Sequence, residues 1–134
     1  MSLRRCFELP PQDRQFLDDY GCQWETIYDG SHWVVLHNFS TQHCGYNHHH
    51  ATAAIRLETG YPKTPLDMVY FCPALARKDG KQIGATQATQ MIDGKTFQRW
   101  SRHRTGTNPW TVGQDSLGTH ILLVEDWLRR EFEM

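Results

Sequence analysis

The sequence predicts a single α+β domain spanning residues 1–134, with clustered strands and a helix at each end. Three observations support this fold class. An Asp-Gly pair separates two β-rich runs, two further runs have alternating apolar residues, and both ends of the chain have apolar residues at helical spacing. A chain of 134 residues is typical of one domain and can bury a core without disulfides or metals.

An N-terminal helix is predicted over residues 10–20. Two consecutive prolines stand where a helix can begin, and Gly21 stands where one can end. Within this stretch three apolar or aromatic residues share one helical face: Phe16, Leu17 and Tyr20.

A four-stranded antiparallel meander is predicted from period-two patterns. Residues 24–28 and 33–37 flank the Asp-Gly pair, which is the strongest short-range signal for a β-hairpin. A third strand is expected over residues 51–57 and a fourth over residues 66–72, separated by the turn region TGYPKTP.

Residues 74–114 are predicted to form a long irregular segment that contains the active site. Loops longer than about 12–15 residues are uncommon in compact domains and usually carry function. This segment holds the basic run FQRWSRHRTGTNPW. A C-terminal helix is predicted over residues 116–132, with one apolar face and with Asp115 or Ser116 as its N-terminal cap.

The composition argues against binding to nucleic acid or membranes. The chain has 14 Lys and Arg against 15 Asp and Glu, so the basic run is a local feature. No apolar run approaches the roughly 20 residues that span a bilayer. The N-terminal stretch MSLRRCFELPPQD lacks the apolar core of a signal peptide. We therefore expect a cytoplasmic protein.

The four cysteines are Cys6, Cys22, Cys44 and Cys72, and none forms a C-x-x-C pair. We expect them to be reduced and to act as small, partly buried apolar side chains.

Residues 43–50 contain four histidines and one cysteine, which are residue types that ligate zinc or nickel. The run leads directly into a predicted strand, where successive side chains alternate between faces. The spacing therefore gives no preformed tetrahedral set, and we expect neither a metal site nor a cofactor.

Three short motifs and one turn carry a family resemblance. GYN at 45–47, QRWSRHR at 98–104 and NPW at 108–110 occur in this order, and YPKTP at 61–65 precedes the fourth predicted strand. Together they resemble the prokaryotic ubiquitin-conjugating-enzyme-like family designated E, from about Leu9 to the C-terminus. The resemblance implies a UBC-like fold. It also implies an acyl carrier that accepts a ubiquitin-like protein from a ThiF-like activating enzyme and transfers it to an amine.

The resemblance places a nucleophile shortly before Trp110, where the sequence departs from the eukaryotic pattern. Eukaryotic relatives have a His-Pro-Asn tripeptide and a catalytic cysteine, but this chain has no cysteine after Cys72. Ser101 lies nine residues before Trp110, and we predict that it is the nucleophile and forms an oxyester. A serine needs a base, which we predict to be His103. Asn108 is the candidate for the amide donor that the missing tripeptide would have supplied.

Two alternatives remain open. The chain could be a UBC-fold binding module that holds the ubiquitin-like protein or the activating enzyme without chemistry. Alternatively, Cys72 or Cys44 could be a displaced reactive thiol, and Asn108 could be no more than a turn residue before a proline.

Overall fold

A computed structural model describes residues 2–133. Helix α1 spans Pro11–Tyr20 and helix α2 spans Leu117–Arg130, which is followed by a 3-10 turn over Glu131–Glu133. The strands are β1 (Trp24–Tyr28), β2 (His32–Ser40), β3 (His50–Leu57), β4 (Val69–Cys72), β5 (Thr89–Ile92) and β6 (Lys95–Trp100).

The strands form one antiparallel sheet in the order β1-β2-β3-β4-β6-β5. The first four strands pair in chain order, as predicted. The sheet has six strands rather than the four predicted. The segment predicted to be irregular contains the β5–β6 hairpin. Its turn is a second Asp-Gly pair, Asp93-Gly94, whose φ angles of 54° and 77° suit a tight hairpin turn.

Both helices begin and end close to their predicted positions. Gly21 follows α1 with a φ of 98°, a left-handed conformation that glycine adopts without strain. At the start of α2, the Ser116 hydroxyl accepts a hydrogen bond from the Thr119 amide, and the Thr119 hydroxyl accepts one from the Ser116 amide. This reciprocal cap satisfies two backbone donors. No helix within residues 2–133 has the length and apolar character needed to cross a bilayer.

The core has two parts because alternate strand residues point to opposite faces of the sheet. On β2, Val34 and Leu36 face the helices, whereas Trp33 and Val35 face the other way. The larger cluster between sheet and helices includes Leu17, Leu36, Phe39, Phe71, Trp100, Leu117, Ile121, Val124 and Leu128. The smaller cluster consists of Ile27, Trp33, Val35, Ala54, Tyr70, Ile92 and Phe97.

The sheet curls so that its two ends meet over the smaller cluster. The Arg4 guanidinium donates to Asp93 of the β5–β6 turn at 2.9 and 2.7 Å and to Glu25 of β1 at 2.8 Å. The Asp93 amide also donates to the Asp29 carboxylate in the β1–β2 turn, at 2.8 Å. The hydrogen bonds from Arg4 lower the pKa of Glu25 to about 2, so this buried carboxylate is charged in the fold.

The YPKTP turn joins the two helices. The Tyr61 hydroxyl donates to the Asp13 carboxylate of α1 at 2.5 Å and accepts from the Leu117 amide of α2 at 2.7 Å. Burial raises the pKa of Asp13. The turn therefore has a structural role in fixing both helices against the sheet.

Candidate functional site

Strand β6 and the residues after it carry the QRWSRHR run, and its first residues hold the fold together. The buried Gln98 side chain accepts from the Leu75 amide at 2.9 Å and donates to the Leu75 carbonyl at 3.0 Å. Its oxygen also accepts from the Trp100 indole at 2.9 Å, and Trp100 is fully buried. Gln98 therefore substitutes for a strand partner and fixes the loop after β4 to β6.

The GYN run has the same kind of role. The buried Tyr46 hydroxyl donates to the Leu128 carbonyl near the end of α2, at 2.8 Å. The Asn47 side chain accepts from the Ala76 amide at 2.9 Å and donates to the Ala74 carbonyl at 3.3 Å. Both residues tie the β2–β3 connection to other parts of the chain.

Arg102 is used to fix the backbone beside β6. Its guanidinium donates to the Gly84 carbonyl at 3.1 Å and to the Ser101 carbonyl at 3.0 Å. The guanidinium carbon lies 5.0 Å from the centre of the Trp100 ring system, which is within the range of a cation–π contact. Burial lowers the pKa of Arg102.

Arg104 connects the segment to α2 through His120. Its guanidinium donates to the Leu66 carbonyl and to Nδ1 of His120, both at 2.9 Å. The other ring nitrogen of His120, Nε2, donates to the Met68 carbonyl at 3.0 Å. Burial lowers the pKa of His120 to about 4, so its ring is neutral at pH 7 with the proton on Nε2. Arg104 also lies 5.0 Å from the centre of the Trp110 ring.

Ser101 follows the last residue of β6 and is half-buried. Its amide donates to the Ala85 carbonyl at 3.0 Å, just as the Arg99 amide donates to the Ala88 carbonyl at 2.9 Å. The backbone of Ser101 is therefore held against the segment before β5, just beyond the end of β6 at Trp100. Within residues 2–133 the Ser101 hydroxyl has no hydrogen-bond partner.

His103 lies on the surface and is paired with a residue from another part of the chain. Its side chain is 66% exposed, and its Nδ1 lies 3.5 Å from the Asp67 carboxylate, whose side chain is 39% exposed. Among the described residues no hydrogen bond joins His103 to Ser101. The ring is thus oriented by Asp67, which the sequence did not single out.

Asn108 is exposed and closes a short turn. Its amide donates to the Thr105 carbonyl at 3.1 Å, and its carbonyl accepts from the Thr105 amide at 3.4 Å. These backbone contacts are those of a turn residue.

All four cysteines are free. Cys22 and Cys72 are partly buried, whereas Cys6 and Cys44 are exposed, so the expectation that all four are partly buried is wrong for those two. Burial raises the pKa of the Cys22 thiol, which makes it less reactive.

The histidines of residues 43–50 have different environments. The His43 ring stacks on Phe132 with 3.9 Å between ring centres, and its Nδ1 accepts from the Gly45 amide at 2.9 Å. His48 and His49 are exposed just before β3, and His50, the first residue of that strand, is also exposed. In the part of the chain that the structure describes, no three His, Cys, Asp or Glu side chains are grouped to hold a metal ion.

Comparison with models of protein families identifies a family for this chain. The family model described as "Prokaryotic E2 family E" matches residues 9–131, which include both helices and all six strands described above. No curated protein and no solved structure matches this chain.

Proposed function

The chain belongs to the prokaryotic E2 family E, and from this premise we propose that it is an acyl carrier for a ubiquitin-like protein. Membership supports a role like that of a conjugating enzyme, with ubiquitin-like proteins or activating enzymes as partners. In our proposal a ThiF-like activating enzyme delivers the C-terminus of the ubiquitin-like protein to the Ser101 hydroxyl. The resulting oxyester is then attacked by an amine of the target.

One observation carries the choice of Ser101. Within the QRWSRHR run, Gln98, Trp100 and the arginines at 102 and 104 are occupied in packing or in hydrogen bonds to the backbone. The Ser101 hydroxyl makes no hydrogen bond within residues 2–133. The His103 ring, two positions further along the chain, is exposed to solvent. A nucleophile and a base that are accessible and not needed for the fold are what acyl transfer to a serine requires.

Reconstitution with the activating enzyme, the ubiquitin-like protein and ATP tests the proposal. We expect an adduct that withstands a thiol reductant and is released by mild hydroxide, because an oxyester is cleaved by hydroxide. Ser101→Ala should abolish the adduct, whereas Ser101→Cys should restore one that the reductant removes. An adduct that persists in Ser101→Ala would refute the assignment.

Replacing all four cysteines with serine or alanine is the matched control for a displaced thiol. We expect this variant to form the adduct at the wild-type rate, since no cysteine takes part in the proposed acyl transfer. If a folded single variant of Cys72 or Cys44 loses the adduct, the nucleophile is that thiol.

A second candidate function is favoured by a specific observation. Because Ser101 and His103 are not hydrogen-bonded, the same surface would also suit a binding module without chemistry. Such a module would bind the activating enzyme or the ubiquitin-like protein, with unchanged affinity in Ser101→Ala, and would form no adduct under any condition.

A further inference from the structure

We infer that Asp67 is a positioning residue for His103, and this inference rests on the proposed acyl transfer to Ser101. The contact joins the Asp67 carboxylate to Nδ1 of the imidazole, with 3.5 Å between Oδ2 and Nδ1. A carboxylate at Nδ1 keeps the proton on that nitrogen. The lone pair is then on Nε2, at the opposite side of the ring, and this is the nitrogen that accepts the serine proton in our proposal.

The backbone around Asp67 is fixed on both sides. The preceding carbonyl, of Leu66, accepts from Arg104 at 2.9 Å, and the following carbonyl, of Met68, accepts from His120 at 3.0 Å. Arg104 lies next to His103 in the chain and also bonds His120. One set of contacts therefore holds both the carboxylate and the backbone that carries the imidazole.

The register of the sheet brings Ser101 to the same region. Val69 of β4 is paired with Trp100 of β6, so Ser101 and His103 follow β6 at the level where residues 66–68 precede β4. Residues 101 and 103 are two positions apart in the chain, just after the end of β6 at Trp100.

The chemistry balances with these three side chains. In loading, the Ser101 oxygen bonds the activated acyl carbon of a thioester and the carbon–sulfur bond breaks. The hydroxyl proton passes to Nε2 of His103 and then to the leaving sulfur. In transfer, the amine nitrogen bonds the ester carbon, the carbon–oxygen bond breaks, and His103 takes a proton from the amine and returns one to Ser101. The Asp67 carboxylate stabilises the imidazolium at both stages.

A fluorophosphonate probe tests this inference without any partner protein. Such a probe bonds an activated serine oxygen as fluoride leaves, and the labelling rate reports how well the serine is deprotonated. We expect Asp67→Asn to label at least about tenfold more slowly, since general-base assistance is worth roughly 10²–10⁴-fold and the asparagine removes part of it. Asp67→Glu should recover part of the rate. Glu58→Gln is the matched control, because Glu58 lines the same 210 Å³ cavity as Asp67 but pairs with Arg56 at 2.5 Å.

The decisive measurement is a double-mutant cycle. If Asp67 acts through His103, the Asp67→Asn and His103→Ala double variant should label no more slowly than His103→Ala alone. An unchanged rate in Asp67→Asn overturns the inference. So does an equal loss in the His103→Ala background, which would mean a general structural effect. Labelling of Ser101→Ala at the wild-type rate, or no labelling of the wild type, instead refutes the proposed function itself.

Discussion

Replacing the buried His120 with glutamine should flatten the pH dependence of stability. The folded-state pKa of His120 is about 4, whereas the unfolded value is about 6.5. Burial is the main cause. The hydrogen bond to Met68 and the charges of Asp67 and Asp115 act in the opposite direction, and Arg104 acts in the same direction. Glutamine can accept from Arg104 and donate to the Met68 carbonyl while remaining neutral.

The sign and size follow from proton linkage. Between pH 6.5 and pH 4 the unfolded chain binds a proton at this histidine and the folded chain does not, so stability falls as the pH falls. The contribution is fully present above pH 6.5. Its loss is about 2 kcal/mol by pH 5 and about 3 kcal/mol once the pH is below the folded value.

Urea unfolding at pH 8 and at pH 5 measures this loss. For an m value of about 2 kcal/mol per molar, the urea midpoint of the wild type should fall about 1 M further between pH 8 and pH 5 than that of His120→Gln. The low pKa of Glu25 also makes stability depend on pH, but mainly below pH 5, and Glu25 is present in both proteins. His49→Gln removes an exposed histidine and should leave the wild-type pH dependence intact. If the urea midpoints of wild type and His120→Gln change equally between pH 8 and pH 5, the reasoning is refuted.

Two further substitutions test the packing that supports the site. Gln98→Leu should destabilise the fold by about 3 kcal/mol in urea unfolding, because it leaves the amide and carbonyl of Leu75 buried without partners; a loss below 1 kcal/mol would show that the loop finds other partners. Gly45→Ala should cost about 1–3 kcal/mol because its methyl would overlap the Phe132 ring, whereas Gly84→Ala, with open space around it, should be nearly neutral. Similar midpoints for the two alanine variants would contradict this difference.

The fold was predictable where the apolar signal was strong. The first four strands bury most of their residues, so they are visible in the sequence as runs rich in apolar, β-branched and aromatic residues. Strand β5 lies at the edge of the sheet with three of its four residues exposed, and its sequence TQMI carries little apolar signal. The Asp93-Gly94 pair was the available signal for this hairpin, since the same dipeptide correctly indicated the first one.

The site was predictable only in part because its contacts join distant parts of the chain. Sequence proximity suggested that His103 would meet Ser101, but the structure pairs His103 with Asp67, 36 positions away. The burial of His120 could have been predicted, because this residue lies three positions after Leu117 on the apolar face of α2. Nothing in the sequence indicated that Arg104 would be its partner.

The weakness of the His103–Asp67 contact as a stabilising interaction is itself informative. An exposed polar contact of this kind contributes at most about 1 kcal/mol to stability, and its 3.5 Å separation places it at the low end of that range. The part-buried Arg104–His120 contact beside it holds the backbone without help from Asp67. Changing Asp67 should therefore leave the unfolding midpoint nearly unchanged, and any loss of serine reactivity in that variant must come from the orientation or charge of the imidazole. Changing His120, in contrast, should lower the stability of the segment that it holds through Arg104 and Met68. The two residues thus separate the chemistry of this site from its folding.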